Sequence, residues 1–411
     1  MKHVFQAEWS LKQEPIGPLV DYLDPFVSHL VEKGYCREYI GKQLLVVADF
    51  SRWLHIRKIR AFDLTPAHTA KFLKSRKQQY IVIRGEVATL RRLVEFLQQL
   101  GVSPKPVCVV NLTPIQQILQ SFNHYLVDER NLSPKTFIQY APFIERFLSE
   151  RFDKEPVQLS ALAGMDVIGF IKRQAECLSI VRAKVATNAL RSFLRYAVYH
   201  GDINVDLIDA VPAVASWSMT GIPRAISPDH IEAVLAHCCR DTTTGRRDYA
   251  ILMLLAHLGL RSGEIVSLKL ESIDWQAGSI AVGGKAGQSG CLPLPAVVGE
   301  AIADYLQNGR PHCQDRALFL RALAPIQGLG AQGSIATIVN AAITRAGVDP
   351  PSRGAHQFRH AVATNLLRQG ASLTEIGSLL RHQHPKTTNI YAKVDFEALR
   401  SLSMPWPGGA Q

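Results

Sequence analysis

Apolar residues recur along most of this chain at the three- and four-residue spacing of amphipathic helices, and in the front half the pattern returns after about one hundred residues. Val87-Ala88-Thr89-Leu90-Arg91-Arg92-Leu93, followed by Glu95-Phe96-Leu97-Gln98-Gln99-Leu100-Gly101, reappears as Leu190-Arg191-Ser192-Phe193-Leu194-Arg195-Tyr196-Ala197-Val198-Tyr199-His200-Gly201. Glu32-Lys33-Gly34-Tyr35 with Val46, Val47 and Phe50 is echoed by Glu129-Arg130-Asn131-Leu132 with Phe143, Ile144 and Phe147, and Phe72-Leu73-Lys74 by Phe170-Ile171-Lys172. Offsets of 97 to 100 residues held along four helices exceed what shared amphipathicity supplies, and imply two tandem helical units. Thr65-Pro66, Thr113-Pro114 and Ser133-Pro134 each set an N-cap hydroxyl before a proline suited to the first helical turn.

The pattern changes in the second half. Arg246 to Leu258 is an apolar helical stretch stopped by Gly259, and Leu260-Arg261-Ser262-Gly263-Glu264-Ile265-Val266-Ser267-Leu268 opens another helix with Ser262 as its expected N-cap. Ser272-Ile273-Asp274-Trp275 forms a turn. Ser279-Ile280-Ala281-Val282 then alternates as a strand, Gly283-Gly284-Lys285-Ala286-Gly287 turns the chain, and Leu292-Pro293-Leu294-Pro295 returns it, which predicts a β-hairpin. A further helix is expected from Ala355 to Leu367. A Pro- and Ser-containing linker, about Val211 to Ile226, separates the halves, and Ser103-Pro104-Lys105-Pro106 marks a boundary between the repeated units.

Length and charge narrow the partner. The chain has 411 residues, too many for one ordinary domain, and a formal charge of +11, which favours a polyanion. Seven cysteines, with Cys238 and Cys239 adjacent and no Cys-x-x-Cys, fit neither a disulfide framework nor a zinc site. The longest apolar run, Tyr249 to Leu260, contains His257 and falls short of a membrane span, and the N-terminal residues lack a signal-peptide apolar region. The expectation is a soluble, cytoplasmic protein without membrane attachment.

The candidate chemistry lies near the C-terminus. His356-Gln357-Phe358-Arg359-His360 places His356 and Arg359 on one helical face, and Leu379-Leu380-Arg381-His382-Gln383-His384-Pro385-Lys386-Thr387-Thr388-Asn389-Ile390-Tyr391 sets a histidine nine residues before a tyrosine. Cationic groups with a hydroxyl nucleophile suit chemistry on a phosphodiester. Attack on phosphorus adds charge to the non-bridging oxygens, and fixed guanidinium forks can bind two of those oxygens at once.

These motifs resemble the signature of the tyrosine recombinases, the family of phage integrases and chromosome-dimer resolvases: Gly-Leu-Arg-x-x-Glu around Arg261, His-x-x-Arg-His, Leu-Leu-x-His, then Tyr. The resemblance is strong over about Ile226 to Arg400 and moderate over Thr113 to Gly201. It implies a catalytic set of Arg261, Lys285, His356, Arg359, His382 and Tyr391, with Lys285 eight residues before Pro293 as in the family hairpin. Tyr391 is then the nucleophile, the two arginines the phosphate clamp, His356 and His382 phosphate or proton-transfer partners, and Lys285 the acid that protonates the departing 5′ hydroxyl. Glu264 and His360 are expected to orient neighbours, and His384 to be an exposed loop residue. Two departures stand out: Gln288 and Gly290 where relatives often carry basic residues, and Arg381 where a glycine commonly precedes the second histidine.

The tandem repeat implies an additional N-terminal helical domain (1–105), and the resemblance implies the rest of a mainly α fold, a core-binding helical domain (106–215) and an α+β catalytic domain with a small β-hairpin sheet (216–411). The expected partner is double-stranded DNA, bound as a homotetramer on paired sites, with accessory recombinases possible partners and a mobile element the expected context. No cofactor and no metal is expected. The first unit is expected either to grip flanking DNA through residues such as Arg37, Lys42 and Arg52 or to mediate contacts between protomers, and the segment after Tyr391, with Phe396, Leu399 and Leu402, is a candidate exchange helix between protomers. A type IB topoisomerase or a non-catalytic DNA-binding protein are the other classes considered. The duplicated helical arm and the spacing around His382 disfavour the first, and the full set of six site residues disfavours the second.

Overall fold

The computed structural model describes residues 3–4, 10–11, 14–78, 84–104, 112–153, 156–214, 224–283, 289–330, 332–382 and 384–394. Two short strands, β1 (His3–Val4) and β2 (Ser10–Leu11), pair antiparallel. Four helices follow: α1 (Leu23–Glu32), α2 (Arg37–Ile56), α3 (Pro66–Lys77) and α4 (Arg84–Gln99). A second four-helix group repeats the order: α5 (Pro114–His124), α6 (Pro134–Arg151), α7 (Gly164–Cys177) and α8 (Ile180–Tyr199). Thr113 and Ser133 cap as expected, accepting from the Gln116 and Lys135 amides, each with proline in the first turn. Thr65 precedes Pro66, and its hydroxyl lies 3.1 Å from His68 Nδ1.

The two groups share more than helix order. In the first core, Phe26 meets Phe96 at 5.5 Å between ring centroids and Phe50 meets Phe72 at 5.0 Å; in the second, Phe122 meets Phe193 at 5.5 Å and Phe147 meets Phe170 at 5.2 Å. Each phenylalanine thus has its counterpart 96 to 98 residues on, in the same pairing. The turn after the first helix is repeated too, with Gly34 at φ 77° and Asn131 at φ 50°, both left-handed. Burying one such phenylalanine contributes about 1.5–3 kcal/mol, so the repeated ring pairs help to hold each bundle closed.

Within the first bundle, Arg76 of α3 pairs with Asp49 of α2 at 2.8 Å and with Glu86 of α4 at 3.0 Å. Two of the candidate DNA contacts there are engaged locally: Lys42 with Glu38 at 2.7 Å and Arg52 with Asp49 at 4.0 Å. Chain contacts group Met1–Pro106 with Gly221–Gln411 as one compact unit and set Val107–Thr220 apart as another. In the former, the Ile326 amide donates to the Lys33 carbonyl at 2.8 Å.

The C-terminal part is built around α10 (Thr243–Leu258), following α9 (Pro228–Ala236). Residues Ala250 to Leu255 of α10 are buried in succession, as in a helix packed on all sides. It contacts α9, α12 (Ala296–Asn308), α13 (Gln332–Ala346) and α14 (His356–Arg368). The sheet is antiparallel in the order β3 (Ile273–Asp274), β4 (Ser279–Gly283), β5 (Ser289–Pro293), with Ile280 opposite Leu292. Ile280 and Val282 are fully buried while Ala281 faces out, the alternation expected of a half-buried strand. A second, smaller core joins α14, α15 (Leu373–Leu379) and the chain beyond it: Val362, Ala363, Ile376, Leu380 and Tyr391. The expected exchange helix, and most of the expected linker, lie outside the described residues.

Candidate active site

The site begins at a glycine. Gly259 ends α10 with φ 56° and ψ 32°, a left-handed conformation that costs glycine nothing sterically. The turn delivers Arg261 in extended conformation to the start of α11 (Ser262–Ser267). Ser262, the cap expected from the sequence, is instead the first helical residue. Glu264 takes over the capping: its Oε2 accepts from the Arg261 amide at 2.8 Å and its Oε1 from Arg261 Nη1 at 2.7 Å. The Arg261 side chain keeps 40% exposure while that of Glu264 retains 6%, so one face of the guanidinium stays open to a ligand.

Helix α14 contributes three residues in its first two turns. His356 opens it, and Arg359 lies one turn on, only 1% exposed. Arg359 Nη1 donates to the Gly259 carbonyl at 2.8 Å and Nη2 to the Leu380 carbonyl. One buried guanidinium therefore ties the turn before Arg261 to the end of α15. His360 follows, its ring edge-on to His356 at 4.7 Å and its Nδ1 2.9 Å from the Tyr391 hydroxyl.

Past α15, Arg381 has φ 54°, which accounts for the glycine common at this place in the family. His382 is fixed twice: its amide donates to the Gly377 carbonyl at 2.9 Å, and its Nδ1 lies 2.7 Å from Thr388 Oγ1. A short helix, α16 (Pro385–Thr388), then leads into a 3-10 segment, Asn389–Val394, that carries Tyr391. The Tyr391 ring lies parallel to that of His382 with centroids 6.5 Å apart, and the residue is 1% exposed.

Burial and crowded positive charge set the protonation states. Burial, with His356 and Arg359 nearby, brings His360 down to about 4, and burial with Arg359 and Arg261 does the same to His382. His356 is lowered by burial and by both arginines. Burial lifts the Tyr391 hydroxyl to about 12 against the opposing pull of Arg359 and Arg261. Arg359 falls to about 10, chiefly through burial and then Arg261. Burial would raise the Glu264 carboxyl, but the Arg261 amide together with Arg381 and the Arg261 guanidinium outweighs it and holds the group below its ordinary value. At neutral pH the three imidazoles are neutral, the tyrosine is protonated and the arginines carry the charge.

Five of the six expected residues thus meet: Arg261, His356, Arg359, His382 and Tyr391. The sixth, Lys285, lies outside the described residues, although β4 and β5 on either side of it pair up to Gly283 and Ser289. His384 is exposed. Two members went unassigned in the sequence. Thr388, 3% exposed, steers His382; it stands in the Thr-Thr pair before the tyrosine, with nothing in its spacing to reveal a partner six residues back. Arg381 joins Glu264 at 2.7 Å, across 117 residues.

Residues 224–398 match the phage integrase family model. Over its full length the chain is 45% identical to y4rA of Sinorhizobium fredii (strain NBRC 101917 / NGR234), a protein named among integrases and recombinases and itself fully covered. It is 31% identical to the tyrosine recombinase XerC of Shewanella amazonensis (strain ATCC BAA-1098 / SB2B), over 69% of this chain and 93% of that one. Among solved structures, the XerH site-specific recombinase bound to palindromic difH substrate has the same fold, with a TM-score of 0.58 at 18% identity, covering 71% of this chain and 97% of that one. Motif order, fold and full-length relatives agree, and the chain belongs to the phage integrase family of tyrosine recombinases, enzymes that cleave and rejoin DNA.

Proposed function

We propose that this protein is a site-specific recombinase that exchanges DNA strands through a 3′-phosphotyrosine intermediate. The Tyr391 oxygen attacks the phosphorus, a bond forms between them, and the bond from phosphorus to the 5′ oxygen breaks. The departing oxygen takes a proton, in this reading from Lys285, and the tyrosine proton passes to a neighbouring base. Attack by the free 5′ hydroxyl of a partner strand reverses the step. One phosphoester replaces another in each direction, so rejoining needs no external energy source.

The observation that carries the reading is the convergence of Arg261, His356, Arg359 and His382, from segments up to 121 residues apart, around one buried tyrosine. Arg261, partly open, meets the phosphate directly. Arg359 spends two donors on backbone carbonyls, which fixes the direction of its remaining N–H groups and keeps reorganisation small. The neutral histidines can donate a hydrogen bond to phosphate while accepting one elsewhere. Because Tyr391 is covered, the reading requires the segment Asn389–Val394 to shift when DNA binds.

By the same reading the protein acts on double-stranded DNA in the cytoplasm, as a tetramer on two paired sites, with the strand exchange serving a mobile element. The 1–105 unit is an added arm, 106–215 the core-binding domain and 216–411 the catalytic domain. Among the described residues no helix is long and apolar enough to cross a membrane. The direct test is a nicked suicide duplex carrying the cognate site. Trapping should yield a covalent complex whose DNA is attached by its 3′ phosphate to the peptide containing Tyr391. Attachment at another residue, or at a 5′ end, would overturn the mechanism.

A further inference from the structure

We propose that Arg381 is a positioning residue of the cleavage step, acting through Glu264 to keep Arg261 aimed at the phosphate and electrically free to bind it. The proposal rests on the recombinase reading above. Arg381 occupies a left-handed position that favours glycine, so its side chain must repay a backbone cost. What it does with that side chain is specific. Nη2 donates to Glu264 Oε2 at 2.7 Å, Nη1 to the Leu379 carbonyl at 3.2 Å, and Nε is buried without a partner among the described residues.

Glu264 links the two arginines. Its carboxylate, 6% exposed, is shared by Arg261 and Arg381. With Arg261 alone, one negative charge would cancel the one positive charge meant for the phosphate. With Arg381 added, two cations flank one anion and the cluster keeps a net positive charge where the DNA backbone must sit. Held from both sides, the carboxylate also fixes the Arg261 amide and guanidinium together. Arg381 further lies against the hairpin: a Cβ built on Gly290 of β5 would come within 3.0 Å of its Cδ, so a glycine there leaves room for the arginine chain. The two departures from the family pattern, Arg381 and Gly290, therefore accommodate each other.

The test is a double-mutant cycle on single-turnover formation of the covalent complex with a suicide duplex, at saturating protein, alongside DNA affinity and urea unfolding. Arg381→Gly suits the left-handed backbone and should fold with an unchanged midpoint, bind within about threefold and cleave about tenfold or more slowly. Arg381→Asn, which also accepts that backbone, carries the same expectation should the glycine variant fold poorly. Arg381→Lys should recover part of the rate. Glu264→Gln should be slow, and Arg381→Gly added to it should cost little more, since both act through one carboxylate. Wild-type cleavage by Arg381→Gly, or single effects that simply multiply in the double variant, would overturn the proposal. A wild-type chain that forms no adduct overturns the recombinase reading and this proposal with it; a wild-type adduct beside an unaffected Arg381→Gly overturns this proposal alone.

Discussion

His360 Nδ1 lies 2.9 Å from the hydroxyl of Tyr391, and the two are brought together by a turn of α14 and a 3-10 segment 31 residues later. Tyr391→Phe should leave DNA affinity within a few-fold and abolish the covalent complex, because only the hydroxyl is removed. His360→Leu leaves that buried hydroxyl without its partner and should cost about 1–3 kcal/mol. The same change in the Tyr391→Phe background should cost less, since the orphaned group is gone. Urea unfolding of the four proteins measures the coupling, and strictly additive losses would show that the contact contributes nothing.

Stability should depend on pH at both ends. His360 and His382 titrate near 4 in the fold against 6.5 unfolded, so between these values the unfolded chain binds more protons. Stability is then full above about 6.5 and falls as pH drops toward 4. Tyr391 titrates near 12 in the fold against 10.0 unfolded, so its contribution is full below 10 and lost as pH rises toward 12. Thermal melts should show the acid loss shrinking in His382→Gln and the alkaline loss shrinking in Tyr391→Phe. Unchanged slopes in these variants would place the titrating groups elsewhere.

The two arginines should fail differently. Arg261, 40% exposed at its side chain, can become lysine, which keeps a cation beside Glu264, with a stability change of about 1 kcal/mol or less. Arg359→Lys cannot serve both the Gly259 and Leu380 carbonyls, and an abandoned buried acceptor costs about 1–3 kcal/mol. Both should cut the cleavage rate by about 10²–10³. Circular-dichroism melts paired with single-turnover rates separate the roles; equal stability losses would contradict the difference in burial.

The residues proposed for catalysis could be picked out because the chemistry restricts the residue types: His356 and Arg359 stand three apart on one helix, and His382 stands nine residues before Tyr391. Their supports were not. Thr388 and the Gly259 and Leu380 carbonyls matter only once distant segments pack, and a backbone carbonyl has no sequence signature at all. The helix start at Arg261 was misplaced by one residue for a related reason. Ser262 looked like the better cap by type, but Glu264 reaches back to the Arg261 amide and decides the matter. The repeat was legible in outline, through apolar positions near one hundred residues apart; the paired phenylalanines that explain it needed the packing.

If charge neutralisation drives DNA binding, the logarithm of affinity should fall linearly with that of salt concentration, at a slope of about −0.9 per phosphate contacted. Lys42→Ala and Arg52→Ala test the first bundle. Should that bundle grip DNA, each flattens the slope by about one contact, and the weak exposed pairs with Glu38 and Asp49 offer little resistance to exchange for phosphate. Slopes identical to wild type in anisotropy titrations would remove these residues from the DNA interface.

The left-handed turns of the two bundles provide the last test, because they occupy equivalent places with unequal residues. Gly34 has φ 77°, and a Cβ there would come within 2.4 Å of Ile326 Cγ1. Gly34→Ala therefore combines a left-handed alanine, about 1–2 kcal/mol, with a clash that the Ile326 side chain must relieve, about 1–3 kcal/mol. Asn131, at φ 50°, already bears the strain that glycine would remove, so Asn131→Gly should be neutral or slightly stabilising despite its gain in unfolded-chain entropy. Urea midpoints read both changes. A harmless Gly34→Ala would mean that neither the turn nor the seat of Ile326 beside Lys33 is as tight as its geometry requires.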